Sequence, residues 1–179
     1  MWVVLVGLAP AMRAADEPGF TEFEAKVKSY SDMVDRMDRK VGRLPDRADA
    51  ERVHAHKRAL AEEIAKERAG AHAGDIFTPA ERPRFVQIVR GAMGGPAGAP
   101  ARKAVAEDNP TTAKNTPRVT VAPNAEYPEG APLSTVPPTL LLRLPALPKT
   151  LDYRFVGKTL VLRDTRANLI VDYIPDALP

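Results

Sequence analysis

An α+β fold is predicted by three observations: a heptad-spaced apolar seam near the N-terminus, a long proline-rich stretch after it, and two alternating apolar runs around Gly157-Lys158. The first has a helical period, the last a strand period, and the middle suits neither. They divide the chain into a segment 1–15 that reads as an export signal, a helical region 16–93, a Pro/Gly/Ala-rich linker 94–138 and a small antiparallel sheet 139–179.

In the helical region, Phe20, Phe23, Val27, Tyr30, Val34, Met37, Val41 and Leu44 alternate three- and four-residue spacings. That seam predicts one long helix. Glu22–Lys26, Glu24–Lys28, Asp32–Arg36 and Asp35–Arg39 are oriented to pair along its surface. A second helix is expected from about Asp49 to Ala71, with Ala50, Val53, Leu60 and Ile64 on its apolar stripe and Gly74 as its cap. The short connection makes the two an antiparallel hairpin. The seam also leaves a homodimer through the first helix open, although its flanking positions form no ion pairs in the parallel register. Thr78 and Glu81 have capping-box spacing before a third helix. Pro83 conflicts with that start, so the helix either begins at Pro83 or has a kinked first turn. Gly94-Gly95 ends it.

Nine of the 18 prolines lie in residues 94–138. Such a composition buries too little apolar surface to offset chain entropy, so residues 95–117 are expected to be a mobile linker. Ala131–Thr139 is expected to lie extended on a surface.

In the sheet, Gly157-Lys158 is read as a two-residue turn. Val156 then faces Thr159, Phe155 faces Leu160, Arg154 faces Val161, Tyr153 faces Leu162 and Asp152 faces Arg163. Leu151, Tyr153, Phe155, Leu160 and Leu162 share a face, with Asp152 and Arg163 opposed as an ion pair on the other. A one-residue slip would destroy both patterns. Thr139–Leu144 and Leu169–Ile174 complete a four-stranded meander.

Four aspartates in this segment are the first candidates for chemistry, and each has a local alternative. Asp152 pairs with Arg163. Asp164 starts the turn "TRAN" by bonding its own backbone. Asp172 is expected on the face opposite Leu169, Val171 and Tyr173, and Asp176 follows Pro175 in a turn. The sequence therefore assigns no catalytic residue and no metal ligand. His54 and His56 point about 160° apart on a helix, so they share no metal, and His72 is a full helix length away. No nucleotide-binding, zinc-protease or serine-hydrolase motif is present, and nothing implies a cofactor.

With no cysteine, the chain has neither disulfides nor thiolate chemistry. Its charge of +3 is spread evenly: residues 16–93 carry fifteen cations and fifteen anions, and residues 94–138 four of each. Nucleic-acid binding needs a concentrated basic footprint, so that class is rejected. Trp2–Leu8 is too short to span a bilayer, which takes about 20 apolar residues. Followed by Ala9-Pro10-Ala11, it instead has the form of a secretory signal lacking the usual basic start.

Gly74–Pro79 (GDIFTP), Ala131–Leu141 (APLSTVPPTLL) and Arg166–Leu178 (RANLIVDYIPDAL) together resemble segments of small, exported, uncharacterised proteins from Gram-negative bacteria of the acidobacterial kind. The likeness runs from about Phe20 to the C-terminus, with the linker least alike. It implies export and carries over no activity, ligand or site residue.

The expectation is therefore an exported, non-catalytic interaction module of the cell envelope, periplasmic or secreted, with an envelope protein as partner. Strand addition at a sheet edge is one route to binding, and Arg154, Arg163 and Asp172 are the solvent-side groups to watch. The rival is a small envelope hydrolase or lyase that uses Asp164, Asp172 or Asp176, and it requires an aspartate in a pocket with a raised pKa.

Overall fold

The computed structural model describes residues 19–45 and 47–179, so the segment 1–15, expected to be an export signal, lies outside the described residues. Helix α1, Thr21–Val41, forms on the heptad seam and turns it inward: Phe23 and Val34 are fully buried, with Val27 and Tyr30 nearly so. Its surface pairs differ from those expected. Lys28 takes Asp32 at 2.6 Å, whereas Asp35 reaches Arg166 at 2.7 Å and Asp38 reaches His56 at 2.9 Å. Tertiary partners have displaced exposed i,i+4 contacts worth only a few tenths of a kcal/mol.

Helix α2, Ala50–Glu67, is capped by Asp49, whose side chain accepts from Arg52 N at 2.8 Å. It packs antiparallel to α1 through Leu60 and Ile64. It stops four residues short of the expected Ala71 because Arg68 leaves the helix to bond Val171 O and Asn124 Oδ1, both at 3.1 Å. Gly74, expected as its cap, instead sits in a separate turn at φ 96.

Helix α3, Arg82–Met93, begins one residue before Pro83, close to the first of the two expected starts. The capping box is not used. Thr78 Oγ1 donates to Glu22 Oε2, and Glu81 Oε1 accepts from Glu22 N, each at 3.2 Å, so Glu81 caps α1 in place of its own helix. Phe20, Phe23, Phe77, Phe85 and Tyr153 form one aromatic cluster with centroid separations of 4.5–6.5 Å, joining α1, α3 and the sheet.

The segment expected as a linker is folded. It contains α4, Ala99–Glu107, which buries Val105, and its residues 119–131 lie on the sheet. A one-turn helix α5, Pro138–Leu141, replaces the strand expected at Thr139–Leu144. Pro138 suits the first turn of a helix, and the leucines that follow are unbranched at Cβ. Leu140 and Leu144, four apart, are the two that are buried.

The sheet is a three-stranded antiparallel meander: β1 (Leu151–Val156), β2 (Thr159–Asp164) and β3 (Leu169–Ile174). The β1–β2 register is the one deduced from the turn, from Val156↔Thr159 to Asp152↔Arg163. Gly157 supplies the required positive φ, 59°. The sheet has two covered faces instead of one. The helices cover Tyr153, Phe155, Leu160 and Leu162, whereas Tyr127, Val119 and Val121 cover Val156, Val161 and Ile170 on the other side.

Candidate functional site

The four aspartates separate into distinct environments. Asp152 is held by Arg163 through two bonds of 3.1 and 2.8 Å, and by Arg154 at 3.0 Å. Arg163 is 9% exposed, with its guanidinium 5.4 Å from the Tyr127 ring, so it is a covered sheet residue and not the solvent-side group expected. Arg154 is also engaged, donating to Ser134 O at 3.1 Å. Asp176 is exposed in its turn at φ 50.

Asp164 starts its turn as expected, Oδ1 accepting from Arg166 N at 2.7 Å and Ala167 N at 3.0 Å. It is also fully buried, and Oδ2 accepts from Tyr30 OH at 3.0 Å. Burial raises its pKa, opposed by the amides and by Tyr30. Burial likewise pushes the Tyr30 hydroxyl well up, and the neighbouring Asp164 pushes it further.

Asp172 departs most from expectation. The β2–β3 register shifts between Leu162 and Arg163, and this bulge sets Asp172 directly opposite Leu162 on the helix side of the sheet. Expected in solvent, the carboxylate is fully buried. Four backbone amides fill it, each at 2.8 Å: Gly74 and Tyr173 on Oδ1, and Ile76 and Phe77 on Oδ2. Asp172 thereby fastens the loop between α2 and α3 to the sheet.

The bulge also makes Asp164 and Asp172 diagonal neighbours on one face, with Cα atoms about 7–8 Å apart by sheet geometry. Their acceptor sites are occupied by protein donors, and neither lines the two clefts formed by described residues. A smaller cleft, about 330 Å³, is lined in part by Tyr30 and Ile76, which bond Asp164 and Asp172 respectively.

The histidines part company. His54 Nδ1 meets Glu129 at 2.6 Å, His56 Nε2 meets Asp38 at 2.9 Å, and His72 contributes its backbone N–H to Asp75 at 2.8 Å. Among the described residues, no group of three or more His, Asp or Glu side chains is placed to hold a metal ion.

A concavity of about 620 Å³ lies between α2 and residues 126–129. His54, Lys57 and Arg58 form one wall, and Glu126 and Glu129 the other. This volume falls within the roughly 300–1,000 Å³ of small-ligand sites. The α2 spacing of three and four residues puts its three basic groups on one face. Sequence reasoning missed this groove because one wall comes from the segment expected to be a linker. That wall is fixed by the bridge Glu126↔Leu169 and by Tyr127 N donating to Asn168 O at 2.8 Å.

Both sheet edges are engaged. At β1, Ser134 Oγ accepts from Phe155 N at 2.7 Å and donates to Phe155 O at 2.9 Å. Two residues on, Asn109 treats Gly157 in the same way at 2.8 and 2.9 Å. At β3, Asn124 N and Ala125 O pair with Ile170 at 2.8 Å each. No protein-family model, no curated protein and no solved structure matches this chain.

Proposed function

We propose that the protein is an exported, non-catalytic interaction module of the cell envelope that holds its partner in the groove between α2 and residues 126–129. One observation carries this reading: the carboxylates of Asp152, Asp164 and Asp172 are spent on arginines, backbone amides and a tyrosine hydroxyl, whereas the groove presents charges left unpaired among the described residues. The engaged sheet edges speak against strand addition and in favour of the groove. Export rests on the N-terminal pattern of Trp2–Ala11. Among the described residues, no helix is long and apolar enough to cross a membrane. The α1 seam packs inside the protein's own core, which speaks against a homodimer through that helix.

The test is in-cell photocrosslinking of the full chain with its native N-terminus, with the reactive group at Glu62 on the groove or, as control, at exposed Lys114, followed by fractionation and mass spectrometry. One envelope partner trapped from Glu62 and not from Lys114 supports the reading. Equal trapping from both positions, or recovery of the protein from the cytoplasm, overturns it.

A second reading, a small hydrolase, is favoured by the shared face of Asp164 and Asp172 and by the raised pKa of Asp164. It requires Tyr30 to swing aside and open Asp164 to the smaller cleft. Turnover of ester, peptide or glycoside probes that Asp164→Asn abolishes without loss of fold would establish it.

A further inference from the structure

The groove's charge pattern defines the chemistry of its occupant, an inference that rests on the binding-module reading. The α2 wall carries His54, Lys57, Arg58 and one acid, Glu62, the facing wall carries Glu126 and Glu129, and His54 and Glu129 already pair at one point. Lys57 and Arg58 on α2, and Glu126 opposite, have no side-chain hydrogen bond or ion pair among the described residues. Ala61, Pro128 and Ala167 add small apolar surface between them. Unpaired cations facing an unpaired anion complement a ligand with a negative group at one end and a positive group at the other. A purely anionic ligand would meet Glu62, Glu126 and Glu129, and a purely cationic one would meet Lys57 and Arg58. The groove's volume of about 620 Å³ is in the range of small-ligand sites and leaves room for more than one amino acid.

We propose that the groove binds a short peptide with free ends, its carboxylate on Lys57 and Arg58 and its ammonium on Glu126. The peptide's apolar side chains rest against Pro128 and the two alanines.

The experiment titrates the isotope-labelled full chain with trialanine, N-acetyl-trialanine and trialanine amide while amide resonances are followed. Free trialanine is expected to move the resonances of Lys57, Arg58, Glu126 and Asn168, and blocking either end to weaken binding at least tenfold. The double substitution Lys57→Ala, Arg58→Ala is expected to erase the difference between free peptide and its amide. Glu126→Gln is expected to erase the difference between free and acetylated peptide. These side chains line the surface, so the variants should keep the wild-type spectrum elsewhere. Equal binding of free and blocked peptides, or movement away from the groove, overturns the assignment. If Glu62 traps an envelope protein but trialanine moves nothing, the peptide assignment falls and the module reading stands. If neither responds, both fall.

Discussion

At Asp172, three amides of the loop Gly74–Phe77 depend on one side chain. Asp172→Ala would leave all three without that acceptor, those of Ile76 and Phe77 buried, and each buried loss costs about 1–3 kcal/mol. We expect a stability loss on the order of 3 kcal/mol or more by urea unfolding. Asp164 acts through pH. Its folded pKa lies above its unfolded value, so the folded state binds the proton more tightly. Stability from this group is fully present below the unfolded pKa and is lost as pH rises through the folded one. Relative to Asp164→Asn, the wild type should therefore gain stability as pH falls through that window. Glu63 has the opposite sign. The hydrogen bonds from Lys40 and Lys66 lower its pKa from 4.5 to about 2, so its contribution is lost as pH falls between those values. Glu63→Gln should flatten the acid limb of the stability curve there, and an unchanged limb would show that the trio contributes nothing.

At the scale of elements, β1 ends the sheet without a neighbouring strand, and two side chains take that strand's place. Ser134 and Asn109 occupy Phe155 and Gly157, alternate positions along one edge. Ser134→Ala would orphan a buried N–H and a buried C=O, a cost of about 1–3 kcal/mol. Its signature is faster amide exchange at Phe155 than at Leu160 on the central strand, whose neighbours remain. Neither side chain was recognisable beforehand: Ser134 lies within "APLSTVPPT" and Asn109 before Pro110, and local sequence says nothing of a partner 21 or 48 residues away. The hairpin register, by contrast, could be read residue by residue, because an alternating pattern around a two-residue turn tolerates no slip. The strand expected at Thr139–Leu144 failed because one apolar run suits a strand or a helical turn, and the four-residue spacing of Leu140 and Leu144 decided for the helix.

For the whole molecule, the main consequence is that residues 94–138 belong to the fold. They supply the cover for one sheet face, the clamps on β1 and one wall of the groove. Limited proteolysis should therefore spare Ala99–Glu107 until global unfolding, and early cleavage there would contradict the packing of Val105 and Asn109. Gly98→Ala should destabilise, because a Cβ at that position would strike the Met93 carbonyl at the start of α4. The mistaken expectation of a linker has a physical cause. Proline and glycine density measures how little a segment can organise by itself, and these residues are organised by surfaces made elsewhere. Only a few of them, such as Tyr127 and Val136, need be apolar for that.

By itself, the sequence determined the helical hairpin, the β1–β2 register, the Asp152–Arg163 pair and the turn role of Asp164. These rest on periodicities and turn chemistry contained within a few tens of residues. The tertiary structure alone decided the burial of Asp172, the capping of α1 by Glu81, the sealing of β1 and the groove with its facing charges. Each of those depends on contacts across 21 to 98 positions, and a single β-bulge was enough to turn Asp172 from the expected solvent side into the core. Local patterns fix which face of an element is apolar; what that face meets, and which charges it leaves unpaired, is settled only when the elements pack.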